Sequence, residues 1–369
     1  MLVLVANLGS TSFKFKLLDM NRGGEVIARA GYERIGQKDS PYKTHGDVID
    51  EILKECGRKP DAIGFKAVHG GPISGAVRVN DEVIATMEQF ADVAPAHNPP
   101  YIAAMRAFRQ KLPSVPQVAA FETAFHQTIP LSRQVYAIPH EWTETLGIRR
   151  YGFHGASHRY IATRVKEIAP DARKVISCHL GGSCSVCAIE NGKSVANSFG
   201  MTAQSGVPHN NRVGDFDTFA LLKLTKQGLS LEEIFKKLSK EGGMLGMSGI
   251  SPDIRDIETA TAGGNARARL ALDAFVESVR HFIGAYLVVL GGCDVLAFTG
   301  GIGENGIAIR EAICRNLEWC SIVLDHGKNQ VRGKEEKISS VESGTEIWIV
   351  PTNEELIVAR QTVAVLNAN

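Results

Sequence analysis

The stretch VLVANLGSTSFKFKLLD, residues 3–19, sets Asn7, Gly9, Ser10, Ser12 and Lys14 between two apolar runs. Val3 to Ala6 and Phe13 to Leu18 carry residue types that suit strands, with turn formers crowded between them. Read alone, this is a hairpin whose polar side chains face water. The same residues also suit a loop that holds phosphate: small side chains let backbone N–H groups approach, hydroxyls donate, and a lysine brings charge.

Recurrence separates the two readings. Residues 177–193, SCHLGGSCSVCAIENGK, repeat the pattern: His179-Leu180-Gly181 lies 172 positions after Asn7-Leu8-Gly9, close to half of the 369 residues. Each triplet follows an apolar strand and is followed by small or hydroxyl residues, a second strand and a turn, MNRG or ENGK. A duplicated domain is the expectation. Two such halves facing each other would bring their hairpin loops together across a cleft, with room for a phosphate chain between them. A third segment, DVLAFTGGIGENGIAIREAI (294–313), runs from a buried strand, Val295 to Thr299, through Gly300, Gly301 and Gly303 into a helix. Nucleotides bind α/β sheets at such strand ends. It lacks the Lys-Ser/Thr ending of a P-loop and matches the dinucleotide fingerprint only loosely.

Composition fits a soluble globular chain long enough for two domains: 44% of residues are hydrophobic and 22% charged. A formal net charge of +1 and the absence of dense Lys/Arg runs leave no footprint for nucleic acid or an anionic membrane. A small-molecule partner is expected. The first apolar run has no basic leader and reads as a buried strand rather than a signal peptide. FIGAYLVVLGGCDVLAFTGG (282–301) is broken by Gly291, Gly292 and Asp294, so it reads as helix end, turn and strand, not a membrane span. Seven scattered cysteines suggest free thiols and a cytoplasmic setting. Cys184 and Cys187 have C-x-x-C spacing, but three apart on a strand they point to opposite faces. His154 and His158 have the spacing of helical zinc ligands, yet the motif's Glu is missing and Gly155 argues against a helix there.

Elsewhere strands and helices alternate: VPQVAAFET (115–123) as strand, PPYIAAMRAFRQKL (99–112) as helix with proline at its start, SLEEIFKKLSKEGG (230–243) as a helix with a Ser230/Glu233 capping box, then strand EIWIV and helix EELIVARQTVAVL. That alternation implies α/β layers. Polar groups gather at strand ends: Lys66 and His69, His97 and Asn98, Glu122 and His126, Arg149, Arg150 and His154, Arg212 with Asp215 and Asp217, Asn353 and Glu354. Singly, each has a structural use. Together they supply what phosphoryl transfer needs: cations for the moving charge, carboxylates for a metal, and loops for positioning.

The motifs NLGSTSFK, VHGG, APAHNPP, FETAFHQTIP, RRYGFHGASH, CHLGG, RVGDFD, FTGGIGENG and PTNEELIVAR, in this order from about Leu4 to Thr362, resemble those of the acetate kinase family. The resemblance implies duplicated ribonuclease-H-like (actin-like ATPase) α/β domains with a nucleotide cleft between them, and a homodimer. It places an N-terminal domain at 1–147 with 356–369, and a nucleotide-binding and dimerisation domain at 148–355. It implies reversible transfer of the ATP γ-phosphoryl to acetate or a short-chain carboxylate, with Mg²⁺ or Mn²⁺. Asn7, Ser10, Ser12 and Lys14 would then form the first phosphate loop, and His179, Leu180, Gly181, Gly182 and Ser183 the second. Asp253, Ile254, Arg255, Gly301, Ile302, Gly303 and Asn305 would hold the adenosine. His154, Arg212, Glu122 and Asn7 would act on the phosphoryl group, with Asn7 and Glu354 at the metal.

Five positions depart from the family's pattern. Its arginine before the VHGG motif is Lys66, so a planar fork becomes a point charge. Its aspartate is Glu122, one methylene longer, and an asparagine of its second phosphate loop is Gly182. In the acyl pocket Val68 and Phe153 are kept, while a leucine and a proline become Ala96 and Ala203. Unless Met201 or Val207 refills the space, a longer acyl chain is expected to fit, each CH₂ contributing up to about 0.8 kcal/mol. The alternatives are a pyrophosphate-dependent relative and a nucleotide-binding protein without turnover.

Overall fold

The structure, a computed structural model, describes residues 1–9, 11–94 and 97–368. Six strands build a first sheet: β1 (Leu2–Leu8), β2 (Phe13–Asp19), β3 (Glu25–Tyr32), β4 (Ala62–Ala67), β5 (Ala76–Arg78) and β6 (Gln117–Phe121). Six more build a second: β7 (Lys174–Leu180), β8 (Cys184–Glu190), β9 (Lys193–Asn197), β10 (Val295–Thr299), β11 (Glu336–Lys337) and β12 (Glu346–Ile349). The first has the order β3-β2-β1-β4-β6-β5, and the second, read from its other edge, β9-β8-β7-β10-β12-β11. Each is an antiparallel meander of three strands, then two parallel strands, then a short antiparallel edge strand that precedes its neighbour in the chain. The duplication inferred from one pair of hairpins therefore extends to the whole topology of both sheets.

The hairpins explain themselves locally. β8 and β9 are joined by Asn191-Gly192 with φ of 49° and 76°, the two-residue turn whose twist matches that of the strands. β1 and β2 pair from Leu2↔Asp19 to Leu8↔Phe13, and β7 and β8 from Lys174↔Glu190 to Leu180↔Cys184. The second loop is thus one residue shorter. On β8, Cys184 packs in the core on one face of the sheet and Cys187 in the core on the other, as their spacing requires.

Both sheets are covered on both faces. The long helix Ala266–Leu290, ended by Gly291 in the left-handed region, lies on β7 and β8. The last helix, Glu354–Asn367, follows β12 of the second sheet yet packs on β1, β4, β5 and β6 of the first. Its Val358 and Thr362 press onto Gly64 in β4, where a Cβ would sit 2.4 Å from Thr362 Oγ1, so only glycine admits the helix. Burying Ile357 and Val358 there stabilises the fold by roughly 2 kcal/mol each. No helix among the described residues is long and apolar enough to cross a membrane.

One local expectation is corrected. Gly155 does not oppose a helix; it begins the helix Gly155–Ile168, with His154 before it at φ 58°. The glycine is required by proximity, not flexibility: a Cβ would lie 2.1 Å from the Glu122 carbonyl oxygen, which accepts the Gly155 N–H at 3.0 Å. His154 itself precedes the helix, and its ring and that of His158 on the first turn both reach Ser185. Gly155→Ala is expected to lower stability by about 3 kcal/mol through this backbone clash, read as a shift in denaturant midpoint. A midpoint within experimental error of the parent's would refute it.

Candidate active site

Two cavities lie on either side of the second hairpin loop. The first, of about 390 Å³, is lined by Gly181 and Gly182, by Asp253, Ile254 and Arg255, and by Gly301, Ile302 and Asn305. These were the residues expected around a nucleotide, and three separate segments bring them to one place. Asp253 caps the helix Ile254–Ala262, its carboxylate accepting the Arg255 N–H at 2.9 Å and pairing with the Arg255 side chain. Leu180 and Gly303 do not line this cavity. Leu180 is fully buried in the core, and Gly303 is buried against the ends of β7 and β10. Asn210, Glu258 and Arg332 line it without having been expected. Arg332, which donates to the Asn305 carbonyl, lies in an irregular segment with no motif around it.

The second cavity, of about 290 Å³, is lined by Asn7, Ser12 and Lys14 from the first hairpin and Ser183 from the second. Asn7 and Lys14 pair directly across β1 and β2, so their side chains share a face. Lys66, Glu122, His154 and Arg212 join them, with Val68, Phe153 and Ala203 as an apolar side. Ser10 and Ala96 lie outside the described residues. Tyr101, unexpected from sequence, completes the wall; its hydroxyl accepts the Leu8 N–H at 2.9 Å. Gly182 borders one cavity and Ser183 the other. A chain of phosphates crossing this loop would reach from one cavity to the other.

The charges at the base of the second cavity are mutually dependent. Lys66, from the central strand β4, is ion-paired to Glu354 Oε2 and lies 3.6 Å from Glu122 Oε1. Burial pulls the ammonium pKa down, but Glu354 and then Glu122 outweigh it and raise it overall. Burial pushes the Glu122 carboxyl up to about 7, opposed by Lys66 and aided by Glu354. Glu354 is raised by burial but held below its usual value by Lys66 and His179, whose Nδ1 is 3.9 Å away. Both Glu122 carboxylate oxygens are buried without a hydrogen-bond partner. Arg212 donates to the Ala203 carbonyl and has no carboxylate partner among the described residues, and burial lowers it to about 10. His154 is held well below the usual imidazole range by burial, then by His179 and His158. Its ring lies 4.1 Å from that of His179.

The chain matches a known family along most of its length. The Acetokinase family model matches residues 46–360. The chain belongs to the acetokinase family. It is 43% identical to the acetate kinase of Dictyoglomus thermophilum, covering 99% of each chain. Among solved structures it is similar to the acetate kinase of Porphyromonas gingivalis (38% identity, TM-score 0.91) and to a propionate kinase of Francisella tularensis (34%, 0.92), with 99% of each chain covered in both comparisons. Members of the acetokinase family share the duplicated α/β architecture described above.

The buried imidazoles set a pH dependence. His69, His97 and His126 are each lowered to about 4 from 6.5, burial being the first cause. Between those values the unfolded chain binds protons that the folded chain refuses, so stability rises with pH. It is complete above about pH 6.5 and is lost as pH falls toward 4. Glu122 acts oppositely, its contribution present below 4.5 and lost as pH rises through about 7. Three imidazoles outweigh one carboxyl, so the thermal midpoint is expected to fall steadily from pH 6.5 to 4. A flat midpoint over that range would contradict this.

Proposed function

We propose that this protein transfers the γ-phosphoryl group of ATP reversibly to acetate or another short-chain carboxylate, giving an acyl phosphate and ADP. The observation that carries the reading is the pair of cavities that meet across residues 181–183, one shaped by nucleotide-type loops, the other holding buried cations beside an apolar wall. A pyrophosphate-dependent enzyme would have no use for the first cavity. A pure nucleotide binder would have no use for the second. The division into 1–147 with 356–369 and 148–355 fits the same reading, because the last helix packs on the first sheet.

In this mechanism the acyl group rests against Val68, Phe153 and Ala203, and its carboxylate faces Lys66 and Arg212. One carboxylate oxygen attacks the γ-phosphorus in line; the bond to the β–γ bridging oxygen breaks and ADP leaves with the electron pair. Arg212 and His154 face the oxygens on which charge spreads in the transition state. His154 serves as a neutral donor, Arg212 as a fixed cation. The residues also suit Mg²⁺ or Mn²⁺: the amide oxygen of Asn7, Glu354 and the unpartnered Glu122 oxygens are hard donors, and such ions need only one or two carboxylates besides phosphate. A bound ion would shield the β- and γ-phosphate charges. Lys66 now stands between the two carboxylates that would face it, and would then turn toward the acceptor carboxylate.

The acyl length follows from Ala203, which leaves this wall lined by a methyl group. We expect purified protein with MgATP to form hydroxamate-trappable product with acetate, and with propionate at a comparable rate. Arg212→Ala should lower kcat by about 100-fold or more. Nucleotide binding without product from formate, acetate, propionate or butyrate would overturn the reading. We also propose a homodimer, favoured by the exposed Phe219, Leu222, Leu231 and Phe235 at the start of and along the neighbouring helices Ala220–Lys226 and Leu231–Lys240. Light scattering should give twice the mass of one chain.

A further inference from the structure

Ser185 in β8 stands between two imidazoles, its Oγ 2.8 Å from His154 Nδ1 and 2.8 Å from His158 Nε2. A hydroxyl carries one proton, and Ser185 Oγ has no other acceptor beside it among the described residues, so of the two neutral imidazole nitrogens one accepts that proton and the other donates its own. Which does which is decided one bond deeper. His158 Nδ1 lies 2.9 Å from Ser177 Oγ in β7, and Ser177 Oγ has no second partner among the described residues. Ser177, Ser185 and His158 are all fully buried.

If His158 Nδ1 carried the proton, the Ser177 hydroxyl hydrogen would be left in the interior without an acceptor. If Ser177 donates instead, only an oxygen lone pair goes unused, and buried structures tolerate an unused acceptor better than an orphaned donor. Ser177 therefore donates to His158 Nδ1. His158 then holds its own proton on Nε2 and gives it to Ser185 Oγ, and the Ser185 hydroxyl is turned toward His154 Nδ1.

We propose that this chain, Ser177 to His158 to Ser185, fixes His154 as the tautomer with its proton on Nε2, presenting a hydrogen-bond donor to the cavity its ring lines. Burial and the neighbouring imidazoles hold both His154 and His158 well below the usual range, so the wire joins neutral rings at pH 7. Nε2 of His154 has no protein partner among the described residues and is the nitrogen left for a ligand. Phosphoryl oxygens only accept hydrogen bonds; the other tautomer would set a lone pair against them. Ser177, His158 and Ser185 are thus positioning residues. The importance of the donor rests on the phosphotransfer reading, whereas the tautomer rests on the hydrogen-bond geometry and on both rings being neutral.

The test is histidine-selective ¹⁵N labelling of the whole protein, with the His154 signal assigned by its loss in His154→Gln. Long-range ¹⁵N–¹H correlations distinguish the two tautomers and the imidazolium. At pH 7 we expect the Nε2–H pattern for His154; an Nδ1–H pattern or an imidazolium overturns the proposal. Ser177→Ala, which does not touch His154, should convert its signal to a mixture of tautomers, and an unchanged signal in that folded variant also overturns it. Ser185→Ala should lower kcat about tenfold or more with KM values changed less than about twofold, while Ser185→Thr keeps the parent pattern. The parent spectrum decides the matter even if a variant fails to fold. The expected tautomer without acyl phosphate formation would sink the phosphotransfer reading and leave the wire intact.

Discussion

A buried ammonium group cannot be left without anions, and Lys66 meets this constraint with two glutamates from distant parts of the chain. Lys66 comes from the middle of the first sheet, Glu122 follows β6, and Glu354 opens the last helix. Their convergence pins the start of that helix over the ends of the parallel strands, although the strand before it belongs to the other sheet. The Glu122 carbonyl is also the acceptor for Gly155, where the second half of the chain begins its first helix. One cluster therefore ties both halves to the floor of the cleft. Removing one partner from such a cluster costs far more than its net stability suggests, because a charge is stranded.

Above this floor the duplicated topology determines what faces what. Both meanders turn at the ends of their first strands, so Asn7 and His179 hold equivalent places in the two sheets. The copies have diverged by use. The first loop offers hydroxyl and lysine groups, the second glycines and a serine, and only the second separates the two cavities. Strand β8 then supplies what a loop could not: Ser185 is held by ladder hydrogen bonds, facing one imidazole from the start of a helix and one from the residue before it. A group that must present one nitrogen in one protonation state gains from being wired to a sheet.

The two hairpins, the third glycine-rich loop and the capping residues are legible in the sequence, because each depends on a few residue types in fixed local order. Ser230 with Glu233 and Asn191-Gly192 behave in the fold as their chemistry dictates. Gly155 misled for an instructive reason. Glycine weakens a helix by local propensity, but here the requirement came from a carbonyl 33 residues earlier in the chain, and close approach outweighed propensity. Tyr101, Glu258 and Arg332 were missed because ordinary residues on helices and irregular segments become lining only when distant segments close around a cavity.

The sequence by itself determined the repeat, the strand–loop–strand units and the inventory of phosphate-friendly and charged groups, since these follow from local sterics and periodicity. Only the tertiary structure decided which groups share a cavity, which two glutamates Lys66 pairs with, and which way the hydrogen bonds run from Ser177 to His154. Those outcomes depend on desolvation and on one proton being shared among neighbours in space, and neither quantity exists until the chain has closed around them.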